Sequence, residues 1–348
     1  MIATDARLAV WSCTPVARPA FGNPKGKAMT QTLGAAHPTP PTVGQIEKLS
    51  FKQRRYTKAK QSQRLAAAWM VTPAVALLLV FVIIPIVLTF ALAFTNAKLI
   101  SPTGPQFVGI DNFSRLFGDP VFWKSLRNTL IFTIFVVPLQ AGLALVLALL
   151  INVRIRGVNF FRTVYFLPVV TSMVVISLLW KFMYQPNGLI NGFLAVFGID
   201  GPDWLGNPNT ALVAVLIMSI WQAVGFHMVI WLSGLQTIPQ DMYEAGAIDG
   251  ASNWQRFRYL TWPALRQTRT FILITITIQA FALFTQIQVM TQGGPLDSTS
   301  TIVYQAVRTG FSLQQTGYAS ALSLVFFVLV LVVSLAQRYL TRDKDVKK

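Results

Sequence analysis

The chain has 348 residues, of which 53% are hydrophobic and only 12% charged. Soluble domains carry about 25% charged residues, so a water-soluble enzyme is excluded: too little charged surface exists to hold this much apolar area in water. Twenty-nine Lys and Arg against 12 Asp and Glu give a formal net charge of +17, and the single cysteine, Cys13, allows neither an intramolecular disulfide nor a cysteine-based metal site. This is the composition of an integral membrane protein.

Residues 1–64 mix Pro, Gly, Thr, Ala and Lys without apolar periodicity and read as a disordered basic cytoplasmic tail. No apolar run in the tail is long enough for the core of a signal peptide. Met29 is an alternative start, and a chain beginning there is expected to keep its activity. The stretch from Gly22 to Ala28 has three residues between its glycines, not the four of a phosphate loop, and Ala where Ser or Thr would bind magnesium. No nucleotide site is expected there. The basic run 52–64 precedes the first apolar stretch, where anionic lipid headgroups are the expected partner and nucleic acid is not.

Six stretches without Asp, Glu, Lys or Arg follow, at 65–97, 128–153, 163–180, 204–240, 270–296 and 309–337. Crossing the hydrocarbon takes about 20 mostly apolar residues, so six transmembrane helices are expected near 67–94, 129–151, 163–183, 210–234, 270–290 and 316–337. They make an all-α transmembrane domain over 65–338, followed by a short charged tail, 339–348. The third helix is short and is expected to recruit Trp180 as an interfacial anchor and Lys181 to snorkel. The two tails and the second and fourth loops hold 23 of the Lys and Arg, and the other three loops hold 6. Cytoplasmic loops carry the excess of Lys and Arg, which puts both termini on the cytoplasmic side.

The fourth loop, 239–263, is the most informative segment. Pro239 suits a first helical turn, Asp241 and Glu244 lie near the positive end of that helix, and Gly250 can end it in a left-handed conformation. Ser252 or Asn253 can cap a second helix in which Trp254 and Phe257 share a face, before Pro263 sets the entry to the fifth span. The expectation is two short helices at an angle, with Ala245, Gly246, Ala247, Gly250 and Ala251 forming a small-residue side and an apolar pair in need of a partner.

The spacing Glu244-Ala245-Gly246, three residues, Gly250, nine residues, Leu260-Thr261-Trp262-Pro263 is similar to the EAA motif of permease subunits in bacterial ABC importers. The chain keeps Glu244, Ala245, Gly250 and Pro263, has Leu260 for Ile, and departs at Gly246 for Ala and Trp262 for Leu. Ile248-Asp249-Gly250-Ala251, the run from Val289 to Pro295 and Gly317-Tyr318-Ala319-Ser320-Ala321 further resemble the carbohydrate branch, in particular the first-subunit type of the maltose permease. The resemblance covers about 120 to 338. It implies a type I ABC importer permease fold in a bacterial plasma membrane, with the fourth loop seated in a cleft of an ATPase subunit. Glu244 would be the polar anchor, Ala245 and Gly246 the close contact and Gly250 the bend, with Asp249, Trp254, Phe257 and Pro263 completing the coupling surface. The partners implied are a second permease, two ATPase subunits that hold ATP-Mg and an extracytoplasmic solute-binding protein. No cofactor is implied on this chain itself.

Polar side chains inside spans are candidates for a solute pathway near the midplane. Trp221 and Gln222 centre the fourth span and Gln279 the fifth. Gln286, seven residues on, would lie about 10 Å further along a continuous helix at 1.5 Å per residue, with Thr275 one turn the other way. Amides and hydroxyls beside Trp221, Phe281 and Phe284 suit a sugar: neutral hydrogen-bonding groups with aromatic platforms. A bond to neighbouring helices is the competing use of each glutamine, and packing that of His227. The absence of Lys and Arg from the spans disfavours glycerol phosphate, and the lack of midplane carboxylates disfavours an ion-coupled transporter or a membrane enzyme.

Overall fold

The computed structural model describes residues 67–100, 104–152 and 157–341. The tail 1–64 and the segment 342–348 of the C-terminal tail therefore lie outside the described residues, and with them the alternative start at Met29. Contacts divide the chain into Met1–Thr72 and Pro73–Lys348. Of the first unit only 67–72 are described, and they are helical.

The described residues are helical apart from loops and one isolated bridge between Thr95 and Phe107. Five helices are long and apolar enough to cross a membrane, and a bent pair makes up to six. They are α1 (Ala67–Leu92), α3 (Pro120–Ile151), the pair α4 (Val158–Val170) and α5 (Met173–Met183), α7 (Ala211–Gln236), the span Arg266–Met290, and α13 (Thr316–Thr341). Shorter helices α2 (Asp111–Gly118) and α6 (Leu189–Val196) occupy loops. Helix α3 starts nine residues before the expected boundary because Asp119 caps it, accepting from the Val121 N–H, and Pro120 suits a first turn that needs no N–H donor.

The largest departure from expectation is the third span. A single helix over 163–183 is expected; α4 and α5 instead meet at 97° across Thr171, which is extended, and Ser172, which is also non-helical. Competition for carbonyls ends α4. A continuing helix would use the Leu167 and Pro168 carbonyls for the N–H groups of 171 and 172. Here the Thr171 hydroxyl donates to Leu167 O (3.1 Å) and Gln222 Nε2, from α7, donates to Pro168 O (3.5 Å). Pro168 itself removes one more helical N–H. The fifth span is also interrupted, into α10 (Arg266–Phe281) and α11 (Thr285–Met290), with the Leu283 carbonyl accepting from the Thr301 hydroxyl at 2.8 Å.

The core sits where α3, α7 and α10 meet. Ala141, Ala144 and Ala148 of α3 and Ala214, Val215 and Met218 of α7 are buried in one cluster with Ile272 and Ile276 of α10. Between apolar helices in lipid, small residues earn close packing where no hydrophobic drive exists. Gly225 is the extreme case: a Cβ there would overlap the backbone carbonyl of Tyr165, so α4 lies directly on α7. Trp231 Nε1 donates to Ala141 O at 3.1 Å, fixing the register of α3 against α7. On the opposite flank Leu116, Phe122, Ile302, Tyr318 and Leu322 form a second cluster that joins α2 and α3 to α13 and to α12 (Ile302–Val307).

Candidate coupling loop and solute cavity

The loop between α7 and α10 forms two short helices. Helix α8 (Gln240–Ile248) has Pro239 at its N-cap, one position earlier than the first turn expected, and Asp241 in its first turn. It closes with a Schellman arrangement: Gly250 N–H reaches Ala247 O (3.1 Å), Ala251 N–H reaches Gly246 O (2.9 Å), and Gly250 takes φ +73°. Helix α9 (Asn253–Arg256) begins with a full capping box between Ser252 and Gln255, then widens through a π turn, Phe257–Thr261, before Pro263 and the start of α10. Tyr243 and Thr261 join the two arms through their hydroxyls at 2.9 Å.

The expected small-residue side divides. Gly246 faces inward, where a Cβ would come within 3.1 Å of Leu260, so this glycine lets the two arms of the loop close on each other. Glu244, Ala245, Ala247 and Asp249 are exposed, with Glu244 accepting from Gln240 Nε2 at 3.1 Å. The expected apolar pair divides as well. Trp254 and Phe257 stack at 5.7 Å, but Phe257 packs on the core and Trp262 while Trp254 stays 70% exposed. Arg269 lies over the Trp262 ring at 4.6 Å. Ile248, 87% exposed, is a second apolar side chain left open on this loop, one that spacing did not single out.

A cavity of about 400 Å³ lies among α3, α4, α5, α7, α10 and α11. Gln222, Gln279 and Gln286 all line it, together with Gln140, Ser219 and Thr285. None of its lining residues is Asp, Glu, Lys or Arg. Both helix breaks open onto it, through Val169 and Met173 at one and Ala282, Leu283 and Thr285 at the other. Interrupted helices belong where backbone lines a cavity, because elsewhere in hydrocarbon their freed polar groups have no partner.

Four expected pathway residues are absent from the lining. Trp221 turns to Trp180 (5.4 Å), which in turn meets Tyr184, so Trp180 sits in an aromatic cluster and is more than an interfacial anchor. Thr275 bonds Phe271 O of its own helix at 2.8 Å. Phe281 is 1% exposed and packs on Phe326, and Phe284 caps α11 against the core. The aromatic walls are instead Phe132 and Phe226. Gln279 and Gln286 share the cavity across the break and not along one straight helix. Lys181 is fixed by a bond to Val289 O at 3.2 Å, so it ties α5 to α11. Gln140 was the residue spacing arguments missed, although it is the one amide within the charge-free second span between Asn128 and Asn152.

A multi-pass helical protein with broken spans around a cavity that amides and hydroxyls enter but no ionised side chain does, and a fastened two-helix loop between two of them, has the architecture of a membrane permease. Residues 120–346 match the family described as the binding-protein-dependent transport system inner membrane component, and the chain belongs to that family. The lactose transport system permease protein of Rhizobium radiobacter is 37% identical over 283 residues, covering 79% of this chain and 94% of that protein. The trehalose/maltose transport system permease protein of Thermococcus litoralis is 35% identical over 276 residues, covering 79% and 93%. Among solved structures, a bacterial ABC transporter involved in import of the acidic polysaccharide alginate aligns with TM-score 0.73 at 24% identity, over 84% of this chain and 99% of that one. The fold is that of a type I ABC importer permease.

Proposed function

We propose that this chain is a permease subunit of an ATP-driven sugar importer. It forms half of a translocation pathway with a second permease and receives solute from an extracytoplasmic binding protein. Two ATPase subunits, which hold the ATP-Mg, drive it through the loop 239–263. Both termini face the cytoplasm, and the chain performs no chemistry of its own. The observation that carries the substrate class is the cavity: four glutamine amides and two hydroxyls converge on it with no ionised side chain, which suits many-hydroxyl neutral solutes and gives a phosphate nothing to pair with. The lactose and trehalose/maltose relatives support the same class.

The test is uptake by the assembled complex in proteoliposomes, using labelled lactose, maltose and glycerol 3-phosphate with ATP inside. Uptake of a neutral sugar that requires ATP, and survives a protonophore, is expected. Uptake of glycerol 3-phosphate alone would move the substrate class, and ATP-independent uptake abolished by the protonophore would replace the importer with an ion-coupled transporter.

A further inference from the structure

His227 of α7 is 0% exposed and touches no solute-accessible space, yet its ring reaches the one cavity amide contributed by α3. Its Nδ1 lies 2.9 Å from Gln140 Nε2 and 3.0 Å from the Ala223 carbonyl oxygen. Its Nε2 is buried with no hydrogen-bond partner among the described residues. Gln140 is 3% exposed, and what remains open of it lines the cavity.

Donor and acceptor rules decide the arrangement. A backbone carbonyl only accepts, so an Nδ1 at 3.0 Å from it must carry the proton; a bare Nδ1 would oppose two lone pairs. With the proton there, the near atom of the Gln140 amide must also accept, because an NH2 in that place would oppose two donors. The oxygen and nitrogen of a carboxamide have the same shape and are assigned by such networks. Turning the amide over puts its oxygen on the shared Nδ1 hydrogen and its NH2 on the side of the cavity. The bare nitrogen of the ring is then Nε2, the atom with no partner among the described residues.

We propose that His227 is a positioning residue: its Nδ1–H holds the Gln140 amide oxygen, so that Gln140 presents its NH2 to the cavity as a donor for the acceptor oxygens of a sugar. This rests on the sugar-permease reading for the identity of the solute, but not for the state of the pair. An unpaired glutamine would spend part of its time with its oxygen inward, where it would meet only the hydroxyl hydrogens. The ring removes that freedom.

Two measurements test it. The chain has two histidines, His37 and His227, so when the full-length chain carrying His37→Gln is labelled with ¹⁵N-histidine and assembled with unlabelled partner subunits, the spectrum reports one ring. A protonated Nδ1 is expected, and a bare Nδ1 overturns the proposal whatever the solute. In proteoliposomes, His227→Phe should raise KM for lactose or maltose about three- to tenfold, the worth of one net hydrogen bond, with little change in the maximal rate. His227→Asn, which can offer an N–H in place of Nδ1–H, should restore KM. In a Gln140→Met background His227→Phe should add nothing; an equal rise with and without Gln140 would mean that the ring acts only by packing, and the proposal falls. Failure of the unaltered complex to import either sugar would remove the sugar reading and leave the spectrum to decide the pair.

Discussion

Gly250 offers the sharpest test of the coupling loop. Its φ of +73° closes the Schellman arrangement of α8, and no atom lies within 4 Å of where a Cβ would stand. Any effect of a substitution therefore comes from backbone strain and not from collision within the chain. An L-residue held in the left-handed region costs about 1–2 kcal/mol, which lowers the population of the native loop about 5- to 30-fold relative to its relaxed alternatives. Gly250→Val should fall at the high end, being β-branched, and Gly250→Ala at the low end. Gly250→Asn should stay close to wild type, since asparagine tolerates this conformation. The assay is co-purification of the ATPase with each variant in the assembled complex, together with sugar uptake per ATP hydrolysed. The order Asn, Ala, Val for increasing loss is the signature of strain. Full ATPase retention and full uptake in Gly250→Val would refute the coupling assignment. Equal loss in all three variants would refute the strain argument and point to a partner that cannot accept any side chain.

Glu244→Ala should weaken ATPase retention while leaving pairing with the second permease intact, and unchanged co-purification would remove Glu244 from the coupling surface. Gly225→Ala forces α4 off α7, an overpacking expected to cost about 1–3 kcal/mol, read as a lower unfolding temperature of the purified complex in detergent; an unshifted transition would show that α4 yields freely. Gln279→Ala and Gln286→Ala should raise the KM for sugar uptake, whereas Thr275→Val should leave it unchanged because Thr275 bonds its own helix; the opposite pattern would move the pathway to the other face of α10.

The spans were legible because lipid removes choice: a charge-free run of about 20 residues can do little else, and six such runs appear. The loop was legible because capping chemistry is local. Ser252 with Gln255 and Gly250 with Ala251 carry their instructions within a few residues. The breaks were not, because they depend on who competes for a carbonyl. Pro138 sits inside α3, which continues through it, whereas α4 ends two residues after Pro168, where Thr171 and Gln222 take the Leu167 and Pro168 carbonyls. Gln222 comes from 54 residues away, which no local pattern records. The misplaced platforms follow from the same cause. Phe281 and Phe284 were placed beside the amides by sequence proximity alone, but Phe281, two residues after Gln279 on the same helix, is buried against Phe326, and Phe284 packs on the core at the start of α11. Gln140 needed the opposite helix to matter, since an amide in one span says nothing of the cavity until α7 and α10 are beside it.

The two arms of the loop are fastened at the Tyr243–Thr261 hydroxyl pair, where Gly246 meets Leu260, and at both helix caps. Ordering one residue from a flexible state costs about 1–2 kcal/mol of backbone entropy, and a loose loop would absorb that much of any pull before moving its ends. A loop already fixed has little slack to take up. Under the proposed coupling role, force applied at its exposed residues Ile248, Asp249 and Trp254 would therefore be delivered as displacement to the roots of α7 and α10 together, the helices that carry Gln222 and Gln279. In mechanical terms the loop is a stiff crank: its worth lies less in how tightly it is gripped than in how little it bends.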